Sequence, residues 1–151
     1  MRKPKWNEIV IMMFSLYMWF TLIVEPELFL RGGTDAAENV YTTYISMVGS
    51  QQNLAWMSLA VSALFFLILF TSRFSILLTV HIIGLIYYFF ITASFLLNYP
   101  NIAFGVMSLV SIALFQEILR LIDESEERKK EKILKDKTLE GGEVFGKSKE
   151  Q

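Results

Sequence analysis

Residues 74–97 read FSILLTVHIIGLIYYFFITASFLL, and their reading decides the fold. The stretch contains no Asp, Glu, Lys or Arg. As a helix it rises about 36 Å, at ~1.5 Å per residue, which suffices to cross a hydrocarbon layer ~30 Å thick. A core helix of a water-soluble domain keeps a polar stripe toward solvent, whereas residues 82–90 carry no charge on any face. The stretch therefore predicts a membrane-spanning helix.

Three more apolar stretches flank it. Residues 102–119 (IAFGVMSLVSIALFQEIL) follow the segment Asn98-Tyr99-Pro100-Asn101, where the proline stops one helix and can start the next. Residues 54–71 (LAWMSLAVSALFFLILFT) precede it across a tight turn at Ser72-Arg73. The first stretch lies at about 9–27, with Pro26 near its end. Such short links force antiparallel neighbours. Of 151 residues, 54% are apolar and 19% charged, and the charges cluster outside these stretches. The expected fold class is all-α: an integral membrane four-helix bundle over residues 1–119, with spans near 9–27, 54–71, 74–97 and 102–119. The basic start (Arg2, Lys3, Lys5) resembles a signal peptide, but Glu25-Pro26-Glu27-Leu28 follows instead of a small-x-small cleavage site, so an uncleaved span is expected.

Orientation follows from the basic residues. Four spans with the N-terminus inside place thirteen of the fourteen Lys and Arg on the cytoplasmic side, Arg31 being the exception. Both termini are thus expected in the cytoplasm of a multi-pass cell-membrane protein. Trp6, Tyr41, Tyr44, Trp56 and Tyr99 fall near predicted boundaries, as interfacial aromatics do. Trp19, Tyr87 and Tyr88 lie deeper, and their polar tips need partners there.

Two segments lie outside the spans. In the loop after span one, Gly32-Gly33 breaks the chain and Thr34 or Asp35 can cap a helix. Val40, Tyr41, Tyr44, Ile45 and Val48 then recur at helical spacing, which predicts a short amphipathic helix on the outer membrane surface. Residues 120–151 predict a charged cytoplasmic helix, disordered after about 141, where Gly141-Gly142 should end it. Glu124–Arg128, Glu126–Lys130 and Glu131–Lys135 are acid-to-base pairs at i,i+4. No apolar residue lies between Asp123 and Lys132, so the tail reads as a solvated helix rather than a coiled coil. Its basic residues near the inner leaflet can touch anionic lipid.

The chemistry-bearing residues are few. There is no cysteine and a single histidine, so thiolate chemistry, disulfides and His-rich metal cages are excluded. Phosphate-binding loops, nucleophile elbows and dinucleotide fingerprints are absent. A net charge of -1, with basic and acidic residues intermixed in the tail, leaves no nucleic-acid footprint. No enzymatic activity and no cofactor or metal are expected. Ionisable residues at membrane depth are functional suspects. Glu8, Arg73, His81 and Glu117 all fall near the inner end of the spans, and Gly84, Leu85, Tyr88 and Thr92 share the face of His81. The cluster reads either as a proton or ion relay or as interhelical glue. Glue is preferred, because span three offers nothing titratable beyond Tyr88 and Thr92. Small residues at Ser58, Ser62, Gly84, Gly105, Ser108 and Ser111 are expected to let helices approach, within the chain or between copies.

The order of Trp56, Arg73, Asn98-Tyr99-Pro100 and Gly105 resembles a group of small four-span membrane proteins of bacteriophages and prophages, over roughly half the chain. The resemblance implies a phage-linked setting and no particular activity. The expected function is a non-enzymatic accessory or interaction subunit with the lipid bilayer as its solvent, acting as a homo-oligomer or within a larger membrane complex. A holin-like self-assembling pore is the alternative, and a small channel or carrier using the His81 cluster is the third reading.

Overall fold

A computed structural model describes residues 5–25, 48–96 and 102–147, with side chains to residue 135 in the last segment. Within them are four helices and no strand: α1 (Trp6–Val24), α2 (Gln51–Ile68), α3 (Phe74–Leu96) and α4 (Ile102–Lys147). All four are long and apolar enough to cross a membrane. The amphipathic loop helix expected around residues 36–48 and the Asn98–Asn101 link lie outside the described residues, apart from Val48.

The helix ends differ from the hydropathy limits by a few residues, each for a local reason. α1 starts at Trp6 rather than 9, because the Glu8 carboxylate accepts the Lys5 backbone N–H at 3.1 Å and closes the first turn. It ends at Val24 rather than 27, because the residue before a proline is driven out of the helical region, and Glu25 sits at φ -115, ψ 78. α2 starts at Gln51 rather than 54, because the Ser50 hydroxyl accepts the Asn53 N–H at 3.1 Å. Gly49 precedes this cap at φ 84, a left-handed turn that suits glycine. After Ile68, bonds from the N–H of Leu69, Phe70 and Thr71 to Phe66, Leu67 and Ile68 tighten the chain, so it reverses before Phe74.

α4 departs most from expectation. It passes through Gly141–Gly142 and reaches Lys147, a helix of 46 residues and about 69 Å at ~1.5 Å per residue. Glycine costs about 1 kcal/mol relative to alanine in a helix, but it keeps its backbone N–H, so two glycines weaken the hydrogen-bond ladder without breaking it.

The contacts set the topology. Gln51 at the start of α2 donates to the carbonyls of Leu22 and Glu25, and Ser62 donates to that of Met12, so α1 and α2 run antiparallel. Ser58 meets Tyr87 and Phe65 packs edge-on against His81, so α2 and α3 are antiparallel. Thr92 meets Ser111 at 3.2 Å and Leu114 lies beside Gly84, so α3 and α4 are antiparallel as well. Ser15 meets Tyr88 at 2.6 Å and Glu8 faces His81, which sets α1 parallel to α3. The start of α1 and the exit of α4 therefore lie at the same end, called the near end below.

Polarity is distributed inside out. Glu8, Ser15, Ser58, Ser62, His81, Ser111 and Glu117 are buried among Leu54, Phe65, Ile91 and Leu114. Outward positions carry Phe20, Phe70, Ile86, Phe89 and Leu109, exposed by 57%, 63%, 65%, 65% and 68%. Only 22% to 39% of each helix's apolar window is covered by the rest of the protein. Soluble monomers rarely expose a contiguous apolar patch above a few hundred Å².

Candidate functional site

Polar side chains from all four helices line up along the interior in tiers. At the near end Glu117, on α4, is almost wholly buried. It accepts from Lys5 Nζ at 3.1 Å and from Asn7 Nδ2 at 3.1 Å, and Arg120 Nη1 stands 3.7 Å away. Glu124, two turns further along α4, takes Arg120 Nε at 3.2 Å and Lys5 Nζ at 3.4 Å. Lys5 thereby ties α1 to two carboxylates on α4.

Deeper lie Glu8 and His81, with side chains only 1% exposed. His81 Nδ1 is 2.8 Å from the Leu77 carbonyl four residues back. A carbonyl only accepts, so Nδ1 carries a proton and donates it there. That points Nε2 at Glu8 Oε1, 3.9 Å away. Glu8 Oε2 holds the Lys5 N–H at the same time, which orients the carboxyl.

The next tier is built from hydroxyls. The Ser15 and Tyr88 hydroxyls meet, as do those of Ser58 and Tyr87, and each serine also donates to the carbonyl four residues before it. Tyr87 and Tyr88 pack edge to face with ring centroids 5.1 Å apart. Thr92 and Ser111 form the last pair. Trp19 differs from the tyrosines: its indole Nε1 is buried and meets no acceptor among the described residues.

Among the residues named from sequence, Glu8 and His81 come together, Glu117 stands one tier nearer the end, and Tyr88 lies two turns beyond His81 on Ser15. Arg73 does not join them. It is exposed at the α2–α3 turn, and only its backbone contributes, through Arg73 N–H to Thr71 Oγ1 at 3.4 Å and the N–H of Leu77 to its carbonyl. The sequence places Lys5 only in the basic start and Glu124 only in a pair with Arg128, and it assigns neither these nor Asn7 to the site. Their signal was a basic residue just before span one and acids just after span four, which the antiparallel topology brings to one end.

The small residues divide likewise. Ser58, Ser62, Gly84 and Ser111 are buried between helices, and Ser108 is partly buried with its hydroxyl on the Phe104 carbonyl. Gly105 is exposed, and a Cβ there would meet nothing within 4 Å among the described residues, so it serves no packing contact between these helices.

Tyr88→Phe removes one partner of the Ser15 hydroxyl, which keeps its bond to Ile11. Interhelical hydrogen bonds in membranes average about 0.6 kcal/mol, so unfolding in detergent should shift by no more than about 1 kcal/mol. A loss above about 2 kcal/mol would show the hydroxyl chain acting as one cooperative network.

Comparison with known proteins finds no matching family, no matching curated protein and no matching solved structure.

Proposed function

We propose that this chain is a four-span membrane protein with both termini on the cytoplasmic side, acting as a non-enzymatic accessory or interaction subunit. One observation carries the reading: the polar side chains face one another and the outward surface of the helices is apolar. Hydrocarbon offers buried polar groups nothing, so they turn inward and pair, while Leu, Ile and Phe face lipid. A water-soluble bundle has the opposite pattern.

The same observation favours this role over a self-assembling pore. A pore formed by association needs a polar face turned outward to line the lumen, and the large outward side chains are Trp56, Met57, Phe66 and Leu67 on α2 and chiefly Ile and Phe on α3. The tiers support interhelical glue, because Ser15, Ser58, Ser62 and Glu117 each meet a partner from another helix or its cap, and Glu8 faces His81 between α1 and α3.

The chain has no cysteine, so single-cysteine variants report topology cleanly. Lys3→Cys and Lys130→Cys should label only after an impermeant maleimide is admitted to the cytoplasmic side, and the wild-type chain should stay with membranes after alkaline washing. Labelling from opposite sides would remove the four-span arrangement. High-level expression should leave the membrane potential intact, and its abrupt collapse would replace the accessory reading with the pore.

A further inference from the structure

Beside the α2–α3 turn, where α4 leaves the other helices, lies a groove of about 320 Å³. Its floor is apolar, formed by Phe74 and Leu77 from α3 and Leu121 from α4. Its outer wall is basic: Arg128, Lys129 and Lys132 follow one another along α4. Ser125 lies between Leu121 and Arg128 along α4, and Ser72 also borders the groove. Glu124 also borders it, but its carboxylate is engaged by Lys5 and Arg120, so three cations face the groove against one already paired anion.

We infer that this groove binds the headgroup of an anionic phospholipid, with the phosphate on Arg128, Lys129 and Lys132 and the glycerol and upper acyl chain on Phe74, Leu77 and Leu121. The inference rests on the membrane-spanning reading above. Three features select this occupant. The order of the lining, apolar then hydroxyl then cationic, follows the order of chemical groups from acyl chain to phosphate. The spacing of the cations puts them on one side of α4, since Arg128 and Lys132 are separated by four residues and Lys129 and Lys132 by three. The groove also begins where the apolar length of α4 gives way to charge, at the level where headgroups lie. Each basic residue beside an anionic membrane surface adds to the attraction, so three acting on one phosphate give selectivity that scattered lysines do not. A bound lipid would thereby brace the emerging part of α4 against the α2–α3 turn.

The test is native mass spectrometry of the full detergent-solubilised chain, titrated with phosphatidylglycerol, with phosphatidylcholine of the same acyl chains, and with inorganic phosphate. The wild-type chain should retain phosphatidylglycerol at least tenfold more tightly than phosphatidylcholine. Arg128→Gln/Lys129→Gln/Lys132→Gln should lose that preference. Lys130→Gln/Lys135→Gln/Lys137→Gln removes equal charge elsewhere on the helix and should keep it. Equal loss in both triple variants would overturn the site in favour of diffuse charge attraction. Displacement of the lipid by millimolar phosphate would overturn the lipid as occupant and leave a free-anion site. A chain that stays in the membrane fraction yet binds both lipids equally would sink this inference alone, whereas a chain soluble without detergent would sink the membrane reading beneath it.

Discussion

Glu8→Ala is expected to lower the unfolding free energy of the detergent-solubilised protein by about 3 kcal/mol, because it takes the facing carboxyl from a buried imidazole nitrogen and removes the cap at the start of α1. The geometry sets this size. Glu8 and His81 are both shut away from the surface, Nδ1 of the imidazole is committed to the Leu77 carbonyl, and Nε2 is turned toward the carboxyl. Without Glu8 that nitrogen faces a small cavity, and Lys5 N–H loses its acceptor at the start of α1. Glu8→Gln should cost much less, because its amide can donate to Nε2. The double variant Glu8→Leu/His81→Leu should recover most of the loss, since well-packed apolar groups often replace a buried ionic pair without penalty. A double variant as unstable as the sum of its single changes would show that the two residues do not act as a pair. The double variant also separates structure from transport: if it folds and proton flux in liposomes is unchanged, the His81 relay is removed as a mechanism.

The second large effect is expected at Gly84. A Cβ there would lie 2.8 Å from Phe65 Cε2 and 3.1 Å from its Cζ, with Leu114 Cδ2 at 3.6 Å. The phenyl edge cannot swing aside, because Phe65 is fully buried and packs edge-on against His81 at a centroid distance of 5.4 Å. Gly84→Ala gains about 1 kcal/mol of helix propensity and loses more than that to the clash, for a net cost of about 1 kcal/mol. Gly84→Leu forces α2 and α3 apart and should cost about 3 kcal/mol or prevent accumulation in the membrane. Phe65→Leu combined with Gly84→Ala should restore stability, because the shorter side chain yields the space. Thermal unfolding in detergent reads both effects, and a Gly84→Leu protein as stable as the wild type would show that α2 and α3 do not approach here.

Sequence alone reached the four membrane-length helices and their approximate limits, since residues 74–97 and 102–119 declare themselves by length and scarcity of charge. It missed the helix starts at Trp6 and Gln51, because caps such as Glu8 to Lys5 and Ser50 to Asn53 depend on two or three residues and leave no trace in a hydropathy average. It also ended α4 at Gly141–Gly142, where the structure continues to Lys147.

For the candidate site, Glu8 and His81 were legible as neighbours because Glu8 lies in the first turn of α1 and His81 about two turns into α3, near the same end. Arg73 was equally close by depth, yet it faces outward at the turn. Lys5 and Asn7 as partners of Glu117 could not be read, because they are separated from it by 112 and 110 positions along the chain. Hydropathy is a sum over residues, so the order along the chain is enough to locate helices that suit hydrocarbon. Which side chain meets which depends on how far each helix is rotated about its own axis. That rotation is set by packing, such as Gly84 against Phe65 and Tyr88 against Ser15, and it exists only once the helices are assembled.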